Sequence, residues 1–291
     1  MRIAVASGKG GTGKTLVSTN LFSILSGMGY RVSLVDCDAE APNSVAFFDV
    51  KLVGTTEVNH KVPVIDTNRC TFCGQCQEFC NYNAIFLLPP VKVIQVMEDL
   101  CHGCNACSVA CTHSAITEKE VSVGQVKTFS YNGKPSITEA RMNIGVMSPV
   151  PVIKRAIGEA DPQSDFILLD SPPGTSCPFV QTVASANFVV LVTEPTPFGL
   201  SDLRQSVETL REMGKPCGVV INRAGMGNGM VHEYLEKVNI PLLGEIPFDK
   251  KIAEYYSKGV LVHTQLHDVK KLLVHILKMI DKSYGNSSSK R

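Results

Sequence analysis

Eight residues near the amino terminus, Gly8-Lys9-Gly10-Gly11-Thr12-Gly13-Lys14-Thr15, have the composition of a loop that wraps its backbone around phosphates. The glycines permit positive φ and let backbone N–H groups approach an anion closely. Lys14 is spaced to reach the β and γ phosphates of a nucleotide, and the Thr15 hydroxyl to sit on Mg²⁺. The flanking elements that must position this loop are readable. Ile3-Ala4-Val5-Ala6 is a short apolar run, and Leu16, Val17, Leu21, Ile24 and Leu25 recur at helical spacing, giving strand, loop, helix.

Further acids fall where strands should end. Arg31 to Val35 reads as a second strand running into Asp36-Cys37-Asp38, and Phe166 to Leu169 as a buried strand ending in Asp170, followed by Ser171-Pro172-Pro173-Gly174. Carboxyl ends of parallel strands are where an open α/β sheet takes its ligands. Asp38 is thereby a candidate to position the attacking water, Asp36 to hold Mg²⁺ through its water shell, and Asp170 to be the second Mg²⁺ partner. The Gly174 backbone is a candidate γ-phosphate sensor. Phe188 to Val192, Gly218 to Ile221 and Leu242 to Ile246 read as three more strands; the second leads into Asn222-Arg223, candidates to read the adenine edge. Ile144-Gly145-Val146 is expected as a strand and Pro151 to Ile157 as a short helix.

A second chemistry lies between these elements. Cys70, Cys73, Cys76 and Cys80 follow the spacing CxxCxxCxxxC, and Cys101, Cys104, Cys107 and Cys111 repeat it 31 residues later, as does Ala84-Ile85 at Ala115-Ile116. Three thiolates in one loop suit three irons of a cuboidal cluster, with the fourth ligand from the other half. That logic assigns Cys70, Cys73, Cys76 and Cys111 to one 4Fe-4S cluster and Cys80, Cys101, Cys104 and Cys107 to the other. Zinc would usually take two separated pairs. Of the three remaining thiols, Cys37 and Cys217 end or precede buried strands and read as small apolar fillers.

Composition narrows the classes. With 28 basic and 27 acidic residues the net charge is +1, which supplies no bulk attraction for nucleic acid or an anionic membrane. No apolar run approaches the roughly 18 residues of a membrane span. The expectation is a cytoplasmic protein, where thiols stay reduced and cysteines bind metal rather than pair. The fold class expected is an α/β P-loop NTPase with a mostly parallel, doubly wound sheet. Residues 1–55 and 135–291 form it, and an α+β cysteine-rich insert occupies 56–134. Leu266, Val269, Leu272, Leu273, Ile276, Leu277 and Ile280 mark a terminal helix on the sheet. The polar segment 283–291 is expected to be a disordered tail.

Lys9-Gly-Gly-Thr-Gly-Lys14-Thr15, Asp36-Cys-Asp38, Asp170-Ser-Pro-Pro-Gly174, Asn222-Arg223 and Ile246-Pro-Phe-Asp249 together resemble the MinD/Mrp/ParA class of deviant Walker A ATPases. The insert resembles a bacterial-type two-cluster ferredoxin, a low-potential electron carrier, although Asn81 and Thr112 stand where that family usually has proline. The resemblance implies ATP and Mg²⁺, a homodimer formed on ATP binding, and a catalytic Lys9 reaching the phosphates of the other subunit beside Lys14 and Asp38. It also implies a partner that carries redox equivalents or a metallocofactor. The alternative it leaves open is a scaffold or positioning ATPase with the ferredoxin portion as a docking module. Leu16 stands where relatives often have a second threonine. Cys177 lies seven residues after Asp170, an offset similar to that of a cluster ligand in the nitrogenase iron protein. It reads either as a dimer-interface ligand or as a structural cysteine before Pro178.

Overall fold

In the computed structural model, which describes residues 1–227 and 229–288, the chain divides into two compact units. The first comprises residues 1–55, 126–141 and 153–291, and the second residues 56–125 and 142–152. In chain order the elements begin with β1 (Arg2–Ala6), α1 (Lys14–Gly27), β2 (Val32–Asp36) and β3 (Lys51–Ile65). The cysteine-rich region holds α2 (Gln75–Glu78), β4 (Ile85–Leu88), β5 (Val93–Val96) and α3 (Ala106–Ala110). Then follow β6 (Ile116–Tyr131), β7 (Lys134–Met142), α4 (Val150–Glu159), β8 (Phe166–Asp170), α5 (Cys177–Ala184), β9 (Phe188–Thr193) and α6 (Pro197–Glu212). The chain closes with β10 (Cys217–Ala224), α7 (Met230–Val238), β11 (Leu242–Pro247), α8 (Lys250–Ser257), α9 (Val262–Gln265) and α10 (His267–Ser288).

The sheet runs in the order β11-β10-β9-β1-β8-β2-β7-β6-β3. Strands β11 through β7 in that order pair in parallel. Parallel strands covered on both faces read as continuous apolar runs, and β1, β2, β8 and β9 are buried almost throughout. The strand carrying the glycine loop, β1, lies between β8 and β9. Register then does what sequence proximity does not: Asp36 pairs with Asp170, and Asp170 with Val5, near the start of the loop. Helix α10 buries Val269, Leu273, Ile276 and Ile280, the stripe expected to face the sheet, and each such side chain contributes roughly 1.5–3 kcal/mol.

Three features differ from the sequence reading. The β6–β7 hairpin turns at Asn132 (φ 50°) and Gly133 (φ 77°), so the chain rejoins the first unit at Val126 rather than after Lys134, and residues 142–152 group with the second unit. Ile144-Gly145-Val146 is a turn, not a strand: Gly145 has φ 89° and Ile144 is fully exposed, so nothing pairs or buries it. Finally, α10 extends to Ser288, making residues 283–288 of the expected tail helical; residues 289–291 lie outside the described residues. Among the described residues no helix is long and apolar enough to cross a membrane.

Candidate nucleotide site and cysteine-rich unit

Helix α1 begins at Lys14 directly after the glycine loop, and its cap residue Gly13 is left-handed at φ 100°. A side chain at Gly13 is excluded twice over, by that backbone and by the Asn222 amide, into which a β-carbon would run. Lys14 is buried; its Nζ donates to Ser7 Oγ at 3.0 Å and to the Lys9 carbonyl at 3.4 Å. Burial pulls its pKa down, while Asp170, Asp38 and Asp36 pull it back up. A cavity of about 330 Å³ is lined by loop residues Gly10, Gly11, Gly13, Lys14 and Thr15, with Asp38, Asn222, Arg223, Phe248 and Tyr256 beyond. This is the size range of small-ligand pockets.

The two strand-end carboxylates are buried close to Lys14 of this loop. Asp36 accepts from the backbone N–H groups of Asp38 (3.1 Å), Asn43 (2.9 Å) and Ser44 (2.8 Å), leaving little of it for direct ligation. Asp170 accepts from Ser44 Oγ at 3.2 Å through Oδ2; its buried Oδ1 makes no well-aligned hydrogen bond among the described residues, although the Thr15 and Ser18 hydroxyls are close enough to act on the carboxylate. Burial, reinforced by the charge of Asp170, raises the Asp36 pKa to about 7; burial raises that of Asp170 to about 6, moderated by the Thr15 hydroxyl and Lys14. A buried carboxylate pair with one orphaned oxygen is short of positive charge. A hard divalent cation with oxygen ligands fits that deficit.

The other candidates are placed as follows. Asp38 lines the cavity and caps its own turn, accepting from Ala41 N at 3.3 Å. The Gly174 N–H donates to the Ser7 carbonyl at 3.2 Å. Asn222 is buried and its amide donates to the Thr12 carbonyl at 2.8 Å, tying β10 to the loop rather than reaching into open space. Leu16 is buried, Cys37 is buried with its thiol pushed up by desolvation, and Cys177 is exposed at the start of α5. Lys9 points to a residue the sequence reading missed: its Nζ lies 3.1 Å from Glu194, whose other oxygen meets Arg223 at 2.6 Å. Tyr256, also missed, lies with its ring tilted 38° to that of Phe47 at a centroid distance of 5.0 Å and lines the cavity. A larger cavity, about 720 Å³, is lined by Tyr30, Arg31, Tyr131 and Asp161 and shares no residue with the loop.

In the second unit the sequence repeat reappears as backbone geometry. Positive φ occurs at Phe72 and Gly103, at Gly74 and Asn105, and at Asn83 and Ser114, three pairs each 31 apart. The short helices α2 and α3 follow the second pair. The Phe72 N–H points at Cys70 Sγ (3.4 Å) and the Gly103 N–H at Cys101 Sγ (3.5 Å). A small cavity is lined by Cys70, Cys73, Cys76 and Cys111. Burial raises the Cys76 and Cys101 thiols; Cys70, Cys107 and Cys73 add to the first, Cys104 and Cys80 to the second. Among the described residues no three ligand side chains converge on one point, as a single ion requires. Cys70, Cys73, Cys76 and Cys111 line one small cavity together, with the Phe72 N–H aimed at the first of these sulfurs.

Residues 3–262 match the family described as the CobQ/CobB/MinD/ParA nucleotide binding domain. An uncharacterized protein of Methanocaldococcus jannaschii is 31% identical over 262 residues, covering 89% of this chain and 90% of the relative. A Pyrococcus horikoshii protein named iron-sulfur cluster carrier protein is 25% identical, over 89% of this chain and 78% of the relative. Among solved structures, the septum site-determining protein MinD of P. horikoshii, complexed with Mg-ADP, superposes with a TM-score of 0.61 at 21% identity, covering 98% of each chain. The fold is thus the α/β P-loop NTPase fold of MinD-like proteins.

Proposed function

Because the chain belongs to the CobQ/CobB/MinD/ParA nucleotide-binding family, we propose that it is a cytosolic ATP-hydrolysing iron–sulfur protein. In this reading, nucleotide-dependent dimerisation is coupled to electron transfer or iron–sulfur handling for a protein partner. The observation that carries the ATP half is the orphaned Asp170 Oδ1 beside Asp36, in register with the start of the loop that holds Lys14. Thr15, Asp170 and, through water, Asp36 would hold Mg²⁺, whose charge neutralises the phosphate oxygens. Backbone N–H groups of Gly10 to Thr15 cradle the phosphates, and Lys14 supports the β and γ groups. Asp38 orients a water whose oxygen attacks the γ phosphorus as the bond to the β-phosphate oxygen of ADP breaks. Lys9 serves the phosphates across the dimer.

For the other half, the eight repeated cysteines, all within residues 56–125 of the second unit, would hold two 4Fe-4S clusters in the sets given above, in a ferredoxin-like insert. Such clusters supply one-electron chemistry. The relative named as an iron–sulfur cluster carrier supports an iron–sulfur role for the partner step. Nucleic acid and integral membrane association have no place in this scheme.

The test is an anaerobic preparation assayed for iron, sulfide and Mg²⁺-dependent ATPase. About eight irons per chain, and dimers with a non-hydrolysable ATP analogue, are expected. Zinc in place of iron would remove the cluster assignment. Monomers under ATP-trapping conditions would remove the dimer. Equal electron delivery to the partner with ATP, ADP and no nucleotide would leave a nucleotide-binding scaffold with a docking module.

A further inference from the structure

Glu194 stands at a junction that no single stretch of sequence reveals. It follows β9, which lies between the strand that leads into the glycine loop, β1, and the strand that carries Arg223 next to its end, β10. The carboxylate side chain is only 9% exposed, and it divides its oxygens between two cations: Oε2 to Lys9 Nζ at 3.1 Å and Oε1 to an Arg223 guanidinium nitrogen at 2.6 Å. Arg223 also reaches the Gly11 carbonyl at 3.5 Å and lines the loop cavity.

The backbone around this carboxylate is fixed. The Thr196 N–H donates to the Glu194 carbonyl at 2.8 Å, and Gly199 packs so closely against the same carbonyl that it admits no β-carbon. Arg223 is held in a left-handed conformation at φ 56°, its N–H taken by Asn222 Oδ1 at 2.9 Å. Strained non-glycine residues persist where the surroundings over-determine them, and they gather at working sites. An acid so placed has defined chemical competitors: a polyphosphate in this loop presents oxygens to Arg223, which lines its cavity, and one in the loop of a second copy would present them to Lys9.

We propose that Glu194 is a positioning residue of the nucleotide site, the resident counterion that nucleotide phosphates must displace to recruit Arg223 and Lys9. The inference rests on the ATP reading of the loop. It assigns separate consequences to the two arms. The Arg223 arm opposes nucleotide binding, because Arg223 lines the cavity. The Lys9 arm opposes nucleotide-dependent association, because Lys9 is the side chain read as acting across the dimer.

The experiment uses the full chain and Mg-ATP, with a non-hydrolysable ATP analogue for dissociation constants. Glu194→Gln keeps the shape and removes the charge; it should tighten nucleotide binding about tenfold, the size of one charge-assisted contact, and lower KM more than it changes kcat. It should also bring dimerisation to a lower analogue concentration. The gain in affinity should vanish in an Arg223→Met background, and the gain in dimerisation in a Lys9→Met background. Should Glu194→Gln melt early, Glu194→Asp, whose carboxylate is too short to bridge both cations, must still tighten binding. Folded variants that bind nucleotide no more tightly than wild type overturn the assignment of Glu194. Failure of the wild-type chain to bind Mg-ATP overturns instead the reading on which it rests.

Discussion

The two units solve the problem of holding ligands in opposite ways. In the first, chemistry sits at the ends of strands buried on both faces; Asp36 and Asp170 are 1% and 2% exposed, and the sheet imposes their juxtaposition. In the second, β4 and β5 make a two-stranded sheet, the helices α2 and α3 are one turn each, and Phe79, Phe86, Leu88 and Val109 are exposed. Its buried apolar side chains are few and mostly small, Val58, Val62, Ile85, Leu87 and Val123 among them, and small cores are commonly stapled by metal. The contrast is that in one unit the core places the site, whereas in the other, on the cluster reading proposed above, the ligands would stand in for part of a core.

Removing the ligand set should therefore have the largest effect. With Cys76→Ser and Cys107→Ser, hydrogen-exchange protection should collapse across residues 56–125 while β1 and β8 stay protected. Equal protection of the second unit in the variant would end the contrast. Next in size is Gly13→Ala, which places a β-carbon on a left-handed residue and against the Asn222 amide. The backbone cost alone is about 1–2 kcal/mol, which lowers the melting temperature by a few degrees, and calorimetric nucleotide affinity should fall by at least tenfold.

Asp170→Asn sharpens the contrast from the opposite direction, because here the core tolerates a costly charge. Both Asp170 (about 6) and Asp36 (about 7) titrate above ordinary carboxylates, chiefly through burial. Between about pH 4 and 7 the folded chain thus keeps protons that the unfolded chain has released, and the pair's contribution to stability falls as pH rises. Without added Mg²⁺, the variant should be more stable than wild type by on the order of 2 kcal/mol at pH 8, and the difference should vanish near pH 4. Denaturant titrations at the two pH values decide it. The smallest effect is at the hairpin tip, where Asn132→Ala should cost about 1 kcal/mol for its left-handed backbone, read in the global melt.

Much of the first unit is legible in the sequence, because buried parallel strands announce themselves as short apolar runs stopped by Asp, Gly or Pro. What the sequence does not contain is their order. The Asp36–Asp170 register and the Glu194 bridge to Lys9 and Arg223 join residues from separate strands, and no local pattern marks Glu194 between Thr193 and Pro195. The β6–β7 hairpin had a signal, Asn132-Gly133, whose left-handed preference suits a tight turn, but it stands in a mixed polar and apolar stretch with no break to separate it from the cysteine-rich insert. Ile144 to Val146 misleads because three apolar-flanked residues cannot distinguish a strand from an exposed turn. The 31-residue cysteine repeat has a counterpart in the backbone that the sequence reading did not anticipate, the recurrence of left-handed residues at the same offset.

That recurrence makes each half of the second unit a template for repairing the other. Gly103 occupies the backbone position that Phe72 holds at φ 57°, and Gly74 the position that Asn105 holds at φ 61°. A symmetrised variant carrying Asn105→Gly, drawn from the opposite half rather than from any outside sequence, is the minimal engineering step toward a sturdier cysteine-rich module.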